Sequence, residues 1–313
     1  MPSFSPRALS AAFALSLTLG LAAGARADDL KVDLSPEQPD RIRAEPVQAA
    51  IDLLPKAYQF VTPGTFTVAT NPGNLPFSVY ATDTETPVGG EPDLAQLVAD
   101  SLGLKLKVVG VAWADWPLGV TSGKYDAVVS NVTVTEARKE KFDFSTYRAD
   151  LLGFYVATDS EIGKIEKPED VAGLKIAVSS GTNQEEILIR WSKANEAKGL
   201  KSADISYYDD EAVQDLALES GRIDAYLGPN STSAFKAARS GKTRLVGTFS
   251  GGWPQTAEIA VTTKKGAGLA DAITAAINAQ IANGNYAKVL ARWNLSAEAV
   301  KESRTNPAGL PKS

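Results

Sequence analysis

Hydrophobic and polar positions fall into two successive units of similar composition along this chain, with no sequence repeat between them. Short apolar runs at residues 65–69 and 104–111 bracket residues 93–102 (DLAQLVADSL), where apolar side chains recur every three or four positions. The spacing predicts strand, amphipathic helix, strand. Residues 123–129 add a buried strand that ends at a loop, and the pattern restarts after Tyr147. Strands are expected over 151–157, 175–178, 204–208 and 224–227, helices over 185–197 and 211–219, and a short helix and turn over 167–174. A strand at 256–262 then precedes helices at 268–282 and 286–293. This order means α/β architecture with mostly parallel sheets and working loops at the strands' carboxyl ends. Two such units fit two domains of ordinary size. Ahead of them, residues 28–46 read as polar extended chain and 47–60 as a short helix broken near Pro55.

The N-terminus changes the picture. Arg7 precedes an apolar stretch over residues 8–23, and Ala25-Arg26-Ala27 is a small-x-small cleavage signature. Residues 1–27 are therefore expected to be a signal peptide, with the mature chain starting at Asp28 in a Gram-negative periplasm. The apolar stretch is short for a membrane span. With no cysteine, the chain has neither a lipobox nor disulfides, so stability must come from its core. Lys and Arg total 32 against 37 Asp and Glu, a net charge of −5. That balance argues against a nucleic-acid partner. Zero His and zero Cys remove the common transition-metal ligands and the usual triad base, and no metal spacing, phosphate loop or nucleophile elbow is present. No cofactor is expected.

Candidate chemistry concentrates in residues 130–147 (SNVTVTEARKEKFDFSTY). A strand delivering Asn131, Thr133 and Arg138 to one loop makes an anion receptor: amide and hydroxyl orient a carboxylate, and the guanidinium clamps it with parallel charge-assisted bonds. The plain alternative is a surface loop with a solvated arginine. Gly181-Thr182, ahead of the helix at 185–197, offers free amides to an anion, or Thr182 or Asn183 serves as an ordinary N-cap. Trp113 and Trp116 follow the strand at 104–111; Trp113 is expected to line a site and Trp116 to pack in the core. Asn71 and Asn74 lie in a loop, NPGNLPF, that could supply a second polar wall or be a plain turn. Asp126 and Asp224, in GKYDA and GRIDA, read as structural residues at strand starts.

Taken in order, these segments resemble the polar amino-acid family of periplasmic solute-binding proteins that serve ABC importers. The resemblance runs from about residue 64 to 295. It rests on the strand and PF loop (67–77), Asp93-Leu94, Trp113 through GKYD at Asp126, the Asn131–Arg138 core, FS-x-Y at 144–147, Gly181-Thr182, GRIDA, and G-x-Y-x-K-V-x-x-R-W at 284–293. It implies a two-lobed type II periplasmic-binding-protein fold with two hinge crossings. Lobe 1 would hold residues 64–149 plus 257–296 and lobe 2 residues 150–256, flanked by an N-terminal extension (28–63) and a C-terminal tail (297–313). The crossings should lie near residues 148–152 and 255–260. Carried over by position, Arg138 would clamp a ligand carboxylate, Thr133 and Asn131 would assist, Trp113 would stack, and Thr182 and Asn183 would contribute from lobe 2. Asn71 and Asn74 replace side chains that suit a cationic amino acid.

A larger departure is Pro229, which stands where the family normally carries the aspartate that receives the α-ammonium. Asn230 beside it offers only a neutral amide. The expected ligand is a small-molecule carboxylate or amino-acid derivative whose amino group is absent, acylated or secondary. The expected partner is a membrane permease of an ABC transporter, the protein acting as a monomer. A periplasmic dehydratase-type enzyme on the same scaffold is the rival reading, with Glu185 or Glu186 as the acid by position. A sensory binding protein is another.

Overall fold

The computed structural model describes residues 32–208 and 210–312. The expected signal segment, residues 1–27, lies outside them. The chain first forms α1 (Gln48–Ile51), β1 (Thr65–Thr70), the short antiparallel pair β2 (Val79–Tyr80) and β3 (Pro87–Val88), and α2 (Gly90–Ser101). Next come β4 (Lys105–Gly110), α3 (Trp116–Thr121), β5 (Ala127–Val128) and β6 (Phe142–Ala149). A second series runs through β7 (Leu151–Ala157), β8 (Lys175–Ala177), α4 (Asn183–Ala197), β9 (Asp204–Ser206), α5 (Glu211–Glu219), β10 (Ala225–Pro229), α6 (Asn230–Ser240) and β11 (Thr243–Ser250). The chain closes with β12 (Glu258–Lys264), α7 (Ala270–Ala282) and α8 (Asn285–Arg292).

Two five-stranded sheets result, ordered β4-β1-β5-β12-β6 and β11-β7-β10-β8-β9. Consecutive strands β6 and β7 lie in different sheets, as do β11 and β12, so the chain passes between the sheets twice. Each sheet is mixed. β1 pairs in parallel with β4 and β5, and β8 with β9 and β10, whereas the strands next to the crossings pair antiparallel. β1 is almost entirely buried, as a central strand covered on both faces must be, while β4 at the sheet edge alternates exposed and half-buried positions. Asp126 accepts the backbone N–H groups of Val61 and Thr67, and Asp224 that of Lys175, so both GxxDA carboxylates tie neighbouring backbone together.

The helix expected over 47–60 is confined to α1. Pro55 disfavours helical geometry in the residue before it, and the segment continues as turns. Residues 167–174 contain only the 3-10 turn Pro168–Val171. α6 and β11 were not expected: α6 reads NSTSAFKAARS, rich in side chains that compete with helical backbone bonds. The N-terminal extension docks along α2, where Arg41 and Arg292 both donate to the buried Asp93 and Arg43 makes a bidentate pair with Asp100. The C-terminal tail covers the free edge of β6. Asn306 N donates to Phe144 O at 2.9 Å, Leu310 N to Val134 O at 3.0 Å, and Ala299 bridges to Arg148.

The second sheet packs an aromatic group in its core, with Trp191 5.9 Å from Phe154, 5.4 Å from Phe249 and 5.1 Å from Trp253. Trp191 is buried and its Nε1 has no partner among the described residues. Trp191→Ala should cost ~3–5 kcal/mol, the usual range for an emptied aromatic site. Trp191→Phe should cost markedly less, because it also removes an unsatisfied donor. Urea unfolding of the three proteins checks both expectations.

Candidate functional site

The parallel strands of both sheets end at one cavity of about 450 Å³. Thr70 ends β1 and Asn71 follows it, Trp113 follows β4, and Ser130 and Asn131 follow β5; from the other sheet, Ser179 follows β8, Tyr207 and Tyr208 follow β9, and Pro229 ends β10. A ligand site at converging strand ends is the general rule for open α/β sheets. Phe77, Glu91 and Glu211 complete much of the wall. A second hollow of about 460 Å³ shares Asn74 and Tyr226 with it, but lies between the loop at 73–79 and helices α5 and α6, away from the strand ends.

The expected residues divide in their placement. Asn71, Asn74, Trp113, Asn131, Thr182 and Asn183 line the cavity, and Trp116 is buried in the first sheet's core. Arg138, Thr133 and Asn230 are not on the cavity wall. The Arg138 guanidinium lies over Trp113 and Trp116, 5.7 and 5.9 Å from their centroids. Its Nη1 donates to Thr133 O at 2.9 Å and its Nη2 to Gly181 O at 3.3 Å, so it spans from one sheet's loop to the other's. Thr133 turns its hydroxyl to Asp150 Oδ2 (2.7 Å) and Asn183 Oδ1 (3.0 Å), which takes it off the wall. Asn230 opens α6, where its Oδ1 accepts the Tyr155 hydroxyl.

Two wall residues, Asn183 and Thr182, have little hydrogen-bonding capacity left for a ligand, whereas Asn71 and Asn74 keep their amide oxygens. Asn183 Nδ2 donates to Asp150 Oδ2 and Gly251 O. Thr182 caps α4, accepting from Glu185 N while its hydroxyl donates to Ser179 O, and Glu185 itself accepts from Gly181 N. Asn71 Nδ2 donates to Val111 O, and Asn74 Nδ2 bonds Glu211 Oε1 across the cleft. Asn131 differs. It holds a positive φ of 51°, and its Oδ1 accepts from Arg148 Nη2 at 2.7 Å.

Behind Phe77 and Asn131 stands a buried charge cluster absent from the sequence reading. Arg148 pairs with Glu91 (2.9 Å) and with Glu298, Tyr147 donates its hydroxyl to Glu91, and the Arg148 guanidinium lies 4.3 Å from the Phe77 centroid. Gly89 brings α2 this close to the loop. With φ at 143°, any Cβ there would sit 2.2 Å from the Phe77 carbonyl oxygen. Thr70 was also missed: the residue lines the cavity, although its hydroxyl is itself buried and has no partner among the described residues. The available signal was Arg148 itself, a charged residue between the FS-x-Y segment and the expected strand at 151–157.

Two α/β sheets that exchange strands at a double crossing and share a cavity between them define the two-lobed type II class of binding proteins. Residues 66–296 match the model for bacterial extracellular solute-binding proteins, family 3, and the chain belongs to that family. It is 33% identical over 165 residues to the L-cystine-binding protein TcyJ of Escherichia coli (strain K12), an alignment covering 52% of this chain and only 58% of that protein. It is 28% identical to the arginine-binding protein ArgT of Corynebacterium glutamicum over 88% of both chains. Among solved structures, an ancestral arginine-binding protein bound to arginine is similar at a TM-score of 0.64 and 25% identity, covering 74% of this chain and 98% of its own. An ancestral amino acid-binding protein described as a precursor of cyclohexadienyl dehydratase is similar at 0.63 and 26%, covering 74% and 95%. No described helix is long and apolar enough to cross a membrane.

Asp150, between β6 and β7, gives the site a pH signature. Burial raises its carboxyl above the ordinary 3.8, although the bonds from Thr133 and Asn183 act the other way. The folded state thus holds this proton more tightly than the unfolded chain does. The associated stability is complete below the unfolded value and is lost as pH rises through the folded one. Asp150→Asn should therefore gain stability relative to the parent as pH increases, and urea midpoints of both proteins across about pH 4–7 should diverge in that direction. A constant difference would show that the proton is not held.

Proposed function

We propose that this protein is the ligand-capturing component of an ABC importer in the periplasm, closing residues 64–149 plus 257–296 against residues 150–256 around a carboxylate-bearing, amino-acid-like ligand. One observation carries the reading: strand ends of both sheets line a single cavity, and side chains already bridge across it. Binding favours closure only by the ligand's differential affinity for the closed state. Arg138 supplies the natural route. Its bond to Gly181 O, at 3.3 Å, is long, and a carboxylate arriving there would exchange a weak neutral acceptor for a charged one. The reading is capture without chemistry: neither Glu185 nor Glu186 is on the cavity wall.

Pro229 on that wall leaves an α-ammonium without its usual carboxylate. Glu91 gives both oxygens to Arg148 and Tyr147, while Glu211 is held by Asn74 and Lys236. Ligands lacking a free ammonium are accordingly preferred. Calorimetric titration with the twenty free L-amino acids, their N-acetyl derivatives and the matching 2-oxo acids tests this. Modified compounds should bind more tightly than the parent amino acids by ~10-fold or more, the range of one charged hydrogen bond. Tight binding of an unmodified amino acid would sink the ligand assignment. Arg138→Met should weaken the best binder by a similar ~10- to 100-fold.

A further inference from the structure

Glu298 lies beyond the residues matched by the family model, in the tail that covers β6. It is buried, pairing with Arg148 through one carboxylate oxygen and accepting the Ser231 hydroxyl of α6 through the other. Arg148 in turn donates to Asn131 Oδ1. A guanidinium cannot accept a hydrogen bond, so this contact fixes which end of the Asn131 amide faces inward. The carbonyl is held by Arg148, leaving the NH₂ group for the cavity.

One neighbouring hydroxyl has the same polarity. Ser130 Oγ accepts from Asn71 N at 2.9 Å, which leaves its proton to donate. Asn131 and Ser130 both line the cavity, and a ligand carboxylate or carbonyl oxygen is the partner that their donors fit.

We infer that the tail is a working part of the binding site: Glu298 and Arg148 are positioning residues that turn the Asn131 amide donor toward the cavity, so that with Ser130 it selects a ligand bearing a carboxylate or carbonyl oxygen at that point. The inference rests on the ligand-capturing reading above and deepens it. It assigns Arg148 no direct contact with ligand, since Glu91 and Glu298 already neutralise that guanidinium.

The experiment takes the strongest binder of the wild-type chain from the panel of L-amino acids, N-acetyl derivatives and 2-oxo acids. Its affinity is measured for wild type, Glu298→Gln, Glu298→Asp, Asn131→Leu and the double variant Glu298→Gln/Asn131→Leu. Glu298→Gln should weaken binding by ~10-fold, and Glu298→Asp should recover part of the loss. In the Asn131→Leu background, Glu298→Gln should have almost no further effect, because both changes remove one donor. A merely structural role would instead give additive losses, which overturns the inference while leaving ligand capture intact. Should no panel compound bind wild type, ligand capture fails and the inference fails with it. If Glu298→Gln does not fold, a crystal structure of wild type with the same binder decides: an oxygen within hydrogen-bond distance of Asn131 Nδ2 supports the inference, and an apolar or donor group there refutes it.

Discussion

The burial of one guanidinium constrains much of this molecule. Arg148 is 1% exposed, and an unpaired charge at such a site would cost several kcal/mol, on the order expected for a buried ion without a partner. Burial alone would lower its hold on the proton, but the Glu298 and Glu91 carboxylates reverse that and raise it. Those partners come from opposite ends of the chain. Glu91 is in the first turn of α2, and Glu298 follows α8. Charge neutralisation therefore requires α2, β6 and the tail to be docked at once. Through Ser231 it also engages α6, whose strand neighbours belong to the other sheet.

The same requirement explains why the cavity floor is well defined. Gly89 allows α2 to approach the Phe77 loop, Glu91 then meets Arg148, and Phe77 covers the guanidinium. Each step depends on the preceding one. A side chain at position 89 would push α2 away and separate an ion pair that has no solvent to replace it. Hydrogen bonds across the cleft are more modest. Asn74–Glu211 and Arg138–Gly181 are partly exposed, so water can compete for those groups, and they can open without the buried penalty that protects Arg148.

Much of the fold was legible because its signals are local. Alternating apolar runs located β1, β4, β7 and β8, and α5 was placed at its observed bounds, since each depends on neighbouring residues alone. Position in the cavity was readable where a residue lies just beyond a strand, as with Asn71, Trp113 and Asn131, or at a helix start, as with Thr182 and Asn183. Arg138 and Thr133 show the limit. Both lie in the expected loop, yet their side chains turn to Gly181 and to Asp150 with Asn183, partners 43 and 17 to 50 residues away. No periodicity encodes such a choice. It follows from how two separately formed sheets meet.

The tail was the least legible element, for a related reason. Residues 297–312 contain little apolar periodicity, since they pair along an existing strand edge rather than build a face of their own. Their value is in what they complete. Without Glu298, the Arg148 guanidinium would keep Glu91 as its single carboxylate partner, and Ser231 would lose an acceptor in partly buried surroundings. A segment that covers an exposed edge also satisfies a charge beside the cavity, so its removal should be felt first in the geometry of Asn131 and only then in the sheet. Edge protection alone could have been met by any polar strand. Burying a glutamate against an arginine there is a costlier solution, and its offset lies in fixing one amide's orientation at the site where a ligand would sit.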